Sequence, residues 1–254
     1  MKKAISTLFT LYCGIIFLVP FLLLFPFIWF CIQFEGLHRF AHRIIRFWSY
    51  IFFTLAGMPI KREFRFRPDP KKTYVFVANH FTYLDIAAGM NIVDNYFAYV
   101  GKSSVKKAPL FGYMFAKLHI QVDRSDKWSR TKSLKKGIDT VKSGRSVFIM
   151  PEGGIVGENP PQMHLPLKDG PFIMAIENQV PLIPITFLNN HEINKPLNRF
   201  RPGIRPRVIF NKPIETAGLT VKKDLEALKR EVYAVIQGDL DALYGFESEI
   251  YPNS

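Results

Sequence analysis

The segment Tyr74-Val-Phe-Val-Ala78 runs straight into Asn79-His80-Phe-Thr-Tyr-Leu-Asp85, passing from five apolar residues to a polar turn. The first five residues, β-branched and aromatic, read as a short buried strand. A helical pattern begins near Leu84. His80 and Asp85 are five residues apart, a rotation of about 140° on a helix and opposite faces on a strand. Their side chains can meet only if the chain turns between them, and the strand-to-helix junction supplies that turn. The carboxyl end of a strand in an α/β sheet is also where sites usually form.

Outward from this segment the same alternation continues. His119-Ile-Gln-Val122, Ser146-Val-Phe-Ile-Met150, Pro181-Leu-Ile-Pro-Ile-Thr-Phe187 and Arg207-Val-Ile-Phe210 read as further strands. Between them, Leu134, Ile138 and Val141 fall at helical spacing, and Leu225, Leu228 and Val232 do so in a last helix starting near Thr220. Strands alternating with helices imply an α/β fold, a central mixed sheet flanked by helices. This domain is expected over residues 61–254, with no internal repeat and no low-complexity linker.

Residues 1–60 differ. From Ala4 to Ile32 there is no charge over about 29 residues, more than the roughly 20 that span a bilayer as a helix. The run is too long for a signal peptide and ends in Phe27, Trp29 and Phe30 rather than a small-residue cleavage site. Pro20 and Pro26 each remove a backbone donor and favour a kink. Basic residues lie on both flanks, Lys2 and Lys3 before and Arg39, Arg43, Arg46, Lys61 and Arg62 after. Keeping both flanks cytoplasmic favours a kinked helical hairpin in one leaflet over a single span. Its second arm, from about Leu37 to Leu55, mixes arginines with Phe47, Trp48 and Tyr50 as an interfacial amphipathic helix does. The expectation is therefore a protein of the cell membrane with its α/β domain on the cytoplasmic side.

Charge narrows the partners. With 34 Lys and Arg against 21 Asp and Glu, the net charge of +13 calls for an anionic neighbour. The apolar amino terminus selects a lipid surface over nucleic acid, for which no motif is present. The two cysteines, Cys13 and Cys31, both lie in the apolar run, which leaves no cysteine metal site or disulfide framework. They read as small hydrophobes facing lipid or a packed helix. His38, His42, His164 and His191 lack a following Asp at the His80 spacing and read as surface or interfacial residues.

If His80 and Asp85 meet, Asp85 fixes the imidazole tautomer and the other ring nitrogen can take a proton from a hydroxyl. No Ser or Cys stands in a strand-turn-helix elbow, so direct attack by an acceptor hydroxyl is simpler than an acyl-enzyme. A His and Asp that merely serve loop hydrogen bonds are the plain alternative.

Four ordered blocks between about Thr73 and Ile214 carry a resemblance to the glycerolipid acyltransferase family, specifically PlsC-like 1-acyl-sn-glycerol-3-phosphate acyltransferases. Asn79-His80 with Asp85 resembles the catalytic His-x4-Asp block, Val122-Asp123-Arg124 the second, Met150-Pro151-Glu152-Gly153 the third and Val180-Pro181-Leu-Ile-Pro184 the fourth. Gly101-Lys102 and Leu167-Lys168 with Gly170 match the family's Ala-Lys and Lys-Lys-Gly positions. The resemblance implies His80 as base with Asp85 orienting it, and Asn79, Lys102, Arg124, Glu152, Gly153 and Lys168 as substrate-binding residues. It implies acyl transfer from acyl-CoA or acyl-carrier protein to the free hydroxyl of lysophosphatidic acid, giving phosphatidic acid, with no metal and no bound cofactor. The basic surface would hold anionic lipid and help recruit an acidic carrier protein. Two positions depart from the family. Gly154-Ile155 stand where Thr-Arg is usual, and His119 where the second block has Gly. The missing Arg keeps another lysolipid acceptor open, a lyso-aminolipid or lysophospholipid. A catalytically silent lipid-binding protein is the alternative of another class. The loop from Gly154 to Pro166, rich in Pro and Gly, is expected to cover the acceptor as a lid.

Overall fold

A computed structural model describes residues 2–155, 161–193 and 199–245. Two helices come first, α1 (Lys2–Cys31) and α2 (His38–Leu55). Then follow β1 (Lys61–Phe64), β2 (Val75–Ala78), α3 (Leu84–Ile92), β3 (Phe97–Lys102), α4 (Phe111–Leu118), β4 (Ile120–Val122), α5 (Lys127–Lys142) and β5 (Ser146–Ile149). The chain closes with α6 (Gly170–Asn178), β6 (Leu182–Phe187), the single turn α7 (Asn190–Ile193), β7 (Arg207–Phe210) and α8 (Val221–Tyr244).

The strands form one seven-stranded sheet in the order β1-β7-β6-β2-β5-β3-β4. All neighbours are parallel except β6 and β7, so β1 and β7 run against the other five and the sheet is mixed. From β2 the chain moves toward β3 on one side, and from β5 it returns across β2 to β6 on the other. The carboxyl ends of β2 and β5 therefore flank the place where the winding reverses, the usual crevice of an open α/β sheet. Two strands escaped the sequence reading. β1, Lys-Arg-Glu-Phe, is an edge strand without a buried side chain, so it lacks the apolar run that marks a strand. β3 does carry that run in Phe97-Ala-Tyr-Val100.

Alternation in the central strands divides the core in two. Phe76, Phe97, Tyr99 and Phe148 pack on one face with α1 to α4. Val75, Val77, Ala98 and Val147 pack on the other with α5, α6 and α8. On the first face, α3 approaches the sheet closely because Gly89 has no side chain. A Cβ there would sit 2.3 Å from the Tyr99 hydroxyl, which donates to the Ile86 carbonyl at 2.8 Å.

The amino-terminal helices form an antiparallel hairpin. Tyr12 Oη donates to the Leu55 carbonyl at 2.8 Å near one end, and Trp48 Nε1 to the Phe17 carbonyl at 2.8 Å further along. Phe17 and Phe21 pack against the Trp48 ring at 4.6 and 5.3 Å between centroids. The expected kink at the prolines is not where the chain reverses. α1 continues through Pro20 and Pro26, and the turn comes at residues 32–37. Cys13 and Cys31 are buried, a helix-packing role rather than a lipid-facing one. α1 is long and apolar enough to cross a membrane, and Leu8, Leu11, Ile15, Leu23 and Phe27 point outward from it. His42 and His191 do not conform to the surface reading, since both are buried. His42 lies edge-on to Tyr96 and Phe97, and His191 packs against Phe81 and Tyr244.

Helix α8 is pinned to the sheet by a polar cluster. Asp239 accepts from Thr186 Oγ1 at 2.6 Å and Asn211 Nδ2 at 2.8 Å, and Arg65 Nη1 lies 2.6 Å from its other oxygen. Removing a carboxylate that satisfies buried donors leaves them without partners. Asp239→Ala is accordingly expected to destabilise the protein by about 2–3 kcal/mol, read as a lowered Tm in detergent. A change under about 0.5 kcal/mol, the usual effect of surface substitutions, would show that the cluster adds nothing to the docking of α8.

Candidate active site

The turn between β2 and α3 brings His80 and Asp85 together. Asp85 Oδ2 lies 3.1 Å from His80 Nδ1 and accepts from the backbone N–H groups of Phe81 and Thr82 at 2.8 and 2.9 Å. Its Oδ1 accepts from Asn190 Nδ2 at 2.8 Å. The Asp85 side chain is wholly buried, and a carboxylate in such a place persists only with donors on both oxygens. Because a carboxylate oxygen accepts, the proton of the shared hydrogen bond belongs to Nδ1. Nε2 then keeps its lone pair, and among the described residues nothing bonds to it. Thr82 Oγ1 accepts from Leu84 N at 2.9 Å and closes the turn that starts α3.

Two further side chains hold the turn from behind. Asn79 is fully buried, donating to the Phe187 carbonyl at 2.9 Å and accepting from the Phe187 N–H at 2.8 Å. Its amide stitches the end of β2 to the end of β6 and is buried away from solvent. Glu152 is also buried. Its Oε1 accepts from His80 N at 2.6 Å and its Oε2 from His164 N at 2.8 Å. It ties the exit of β5 to the backbone of His80 and of His164 rather than facing a ligand. Burial pushes the Glu152 carboxyl up to about 8, against the two N–H donors that pull it down, with Asp85 adding to the rise.

A cavity of about 520 Å³ opens between the sheet and helices α5 and α6. Neither His80 nor Asp85 lines it, and it connects to their turn through Gly153, the residue after the Glu152 that accepts from His80 N. Val100, Val122, Ile149 and Met174 give it apolar walls, and Arg124, Arg130 and Lys168 bring cations to it. Arg124 is half-buried and makes no salt bridge among the described residues, and its desolvation lowers the guanidinium pKa. Arg130 donates to the Arg124 carbonyl at 2.7 Å. Gly153 has a positive φ of 82°, where side chains are rarely tolerated, and a Cβ there would come within 3.2 Å of the Lys168 stem. Lys168 is held in turn by its N–H, which donates to the Pro151 carbonyl at 2.8 Å. An apolar space rimmed by unpaired cations suits an anionic group attached to a hydrocarbon.

The structure thus brings His80, Asp85 and Glu152 together at the turn and Arg124, Gly153 and Lys168 together at the cavity, the two groups joined by the consecutive Glu152 and Gly153. It leaves Lys102 apart, exposed at the end of β3 and outside the cavity lining. His119, at the usual glycine position of the second block, is buried and accepts from Tyr99 N at 3.2 Å through Nδ1. Residues 156–160 of the expected lid lie outside the described residues. Asn190 and Arg130 were missed by the sequence reading. Asn190 is 105 positions from Asp85, with no local pattern to mark it, whereas Arg130 follows Arg124 by six residues at the start of a basic helix.

Comparison with known proteins bears on the family and the fold. A family model described as acyltransferase matches residues 37–188. The chloroplastic 1-acyl-sn-glycerol-3-phosphate acyltransferase BAT2 of Brassica napus is 28% identical over 186 residues, 69% of this chain and 51% of the relative. The 1-acyl-sn-glycerol-3-phosphate acyltransferase of Saccharomyces cerevisiae is 31% identical over 159 residues, 60% of this chain and 51% of the relative. The chain thus spans about half the length of these curated relatives. The crystal structure of the 1-acyl-sn-glycerophosphate (LPA) acyltransferase PlsC from Thermotoga maritima superposes with a TM-score of 0.80 at 21% identity, covering 98% of this chain and 100% of that one, a likeness of fold.

Glu152 generates a pH prediction. Its ordinary value of 4.5 stands for the unfolded chain, and the folded value lies near 8. The native state then binds the proton more tightly, so this contribution to stability is complete below about 4.5 and is lost as pH rises through about 8. The Tm of the wild type should decline over that window more steeply than that of Glu152→Gln, which is less stable throughout but has no proton to release. Parallel Tm profiles would mean that the two N–H donors keep Glu152 ionised across the range.

Proposed function

The chain belongs to the acyltransferase family, and on that premise we propose that it acylates the free hydroxyl of lysophosphatidic acid to give phosphatidic acid. The observation that carries this reading is the buried Asp85 fixing Nδ1 of His80, with the consecutive Glu152 and Gly153 linking that turn to a cavity that joins apolar walls to three cations. The acceptor hydroxyl gives its proton to His80 Nε2 as its oxygen bonds to the thioester carbonyl carbon. The carbon–sulfur bond then breaks, and the imidazolium returns the proton to the departing sulfur, so one ester and one thiol are formed. Asp85 stabilises the imidazolium while it exists and holds the ring in the productive tautomer. Glu152 and Asn79 act as positioning residues, through the backbone of the turn. Arg124 and Lys168, with Gly153 as floor, take the acceptor's phosphate, which suits guanidinium geometry.

The donor is a thioester, acyl-CoA or acyl-carrier protein. Ile155, half-buried where the family commonly has Arg, motivates a second reading in which another lysolipid is the acceptor. Against a lyso-aminolipid stand the cations at the cavity, which a lipid without a phosphate would leave unpaired, and against a lysophospholipid stands only its lower charge. The outward apolar side chains of α1 suit a hairpin embedded in one leaflet of the cell membrane, with residues 61–254 as the cytoplasmic acyltransferase domain.

Acyl transfer measured across a panel of lysolipids tests this reading. His80→Ala should lower kcat by about 10³-fold, the usual worth of a positioned general base, and Asp85→Asn by at least about 10². Arg124→Gln should raise KM for lysophosphatidic acid by about tenfold with little change in kcat, since a charge-assisted bond to phosphate is worth about 1.5–3 kcal/mol. Retained activity in His80→Ala would remove the proposed chemistry. Preferred use of an acceptor lacking a phosphomonoester would replace the proposed substrate.

A further inference from the structure

The positive charge of this chain is not confined to the side that carries the amino-terminal hairpin. Helix α5, Lys127–Lys142, bears Lys127, Arg130, Lys132, Lys135, Lys136 and Lys142 against one carboxylate, Asp139. Among the described residues none of these six cations makes a salt bridge. All six are exposed. Lys132 and Lys136 line a polar cleft of about 360 Å³ at the edge of β4, and Lys106, from the turn after β3, faces them across it. At the amino end of the same helix Trp128 is 83% exposed, a large indole left in solvent.

The α5 part of this surface lies on the face of the sheet opposite the hairpin, whereas Lys106 comes from the turn that packs with α4 on the hairpin's face, and Asp123 and Asp126 share the cleft with the lysines. α5 packs with α6 and α8 on one side, while α1 and α2 pack on the other. A bilayer that receives the outward residues of α1 is therefore not the partner of α5. The cations are also strung along a helix of 16 residues, about 24 Å at 1.5 Å per residue. A row of this length fits a row of carboxylates on another protein. An exposed indole beside such a row supplies the apolar anchor that protein interfaces use. The location suits delivery to the active site. β4 is three strands from β2, about 14 Å at ordinary strand spacing, and Arg130 belongs both to this helix and to the cavity that Gly153 and Lys168 line.

We propose that the exposed face of α5, with Lys106, Lys132, Lys136 and Trp128, is the docking surface for an acidic carrier protein that presents the acyl thioester. This rests on the acyl-transfer reading above and assigns its donor. Complementary charge governs encounter and register, so the surface should act on donor affinity rather than on the chemical step.

The test compares two donors, palmitoyl-acyl-carrier protein and palmitoyl-CoA, with lysophosphatidic acid as acceptor. The double variant Lys132→Glu/Lys136→Glu, checked by Tm for folding, should raise KM for the carrier-bound donor by about tenfold or more, with kcat kept. Its KM for palmitoyl-CoA should move less than twofold. Lys222→Glu/Lys223→Glu on α8 serves as a control of equal charge change and should move neither. Added salt should raise KM for the carrier-bound donor in the wild type and much less in the double variant. Trp128→Ala gives a second arm that alters no charge and should weaken the carrier-bound donor alone. Equal losses with both donors, unchanged KM for the carrier, no use of the carrier while palmitoyl-CoA reacts, or a loss of binding to phosphatidylglycerol vesicles would each overturn this assignment. Absence of transfer from either donor in the wild type would instead overturn the acyl-transfer reading.

Discussion

A buried carboxylate needs donors, and Asp85 collects four of them, from His80, Phe81, Thr82 and Asn190. Three come from the turn that it closes and the fourth from the segment after β6. The site is therefore assembled by the same bonds that keep a charge stable in the core. With Asp85 lost, the Phe81 and Thr82 N–H groups would be stranded, the His80 ring freed and the amide of Asn190 left without its acceptor. Asn79 and Glu152 extend this arrangement by tying the turn to the ends of β6 and β5. Function and local folding are hard to separate here, because the orienting group is also the closing group.

The sheet gives the molecule two unlike sides. On one, the hairpin of α1 and α2 covers the large aromatic core residues and turns leucines and phenylalanines outward. On the other, α5, α6 and α8 cover the smaller core residues, and α5 and α8 present lysines and arginines. His80 stands at the sheet end between them. In the proposed reaction, a lipid-resident acceptor and a water-borne thioester would approach one base from these two sides.

Much of this was legible in the chain. The strand before His80, the helix from Leu84 and the spacing that requires a turn between them all follow from local pattern, and the structure reproduces them. The second hairpin arm was likewise readable from its alternation of arginines and aromatics. What could not be read depends on distance or on environment. β1 is charged along its length because it is an edge strand, so it becomes a strand only by pairing with β7. Asn190 serves Asp85 from far along the sequence. Asn79 and Glu152 carry the family's motif positions, yet their side chains are spent on backbone, a use that spacing cannot distinguish from ligand binding. His42 and His191 are buried because aromatic neighbours enclose them, and nothing adjacent in sequence signals it.

The central claim concerns one proton on one imidazole. Nitrogen NMR of the histidine-labelled protein in detergent, with the His80 signals identified by their absence from His80→Ala, reads it directly. At neutral pH the account predicts a protonated, pyrrole-type Nδ1 and an unprotonated, pyridine-type Nε2. The opposite tautomer, or no change in the His80 nitrogens on Asp85→Asn, would contradict it.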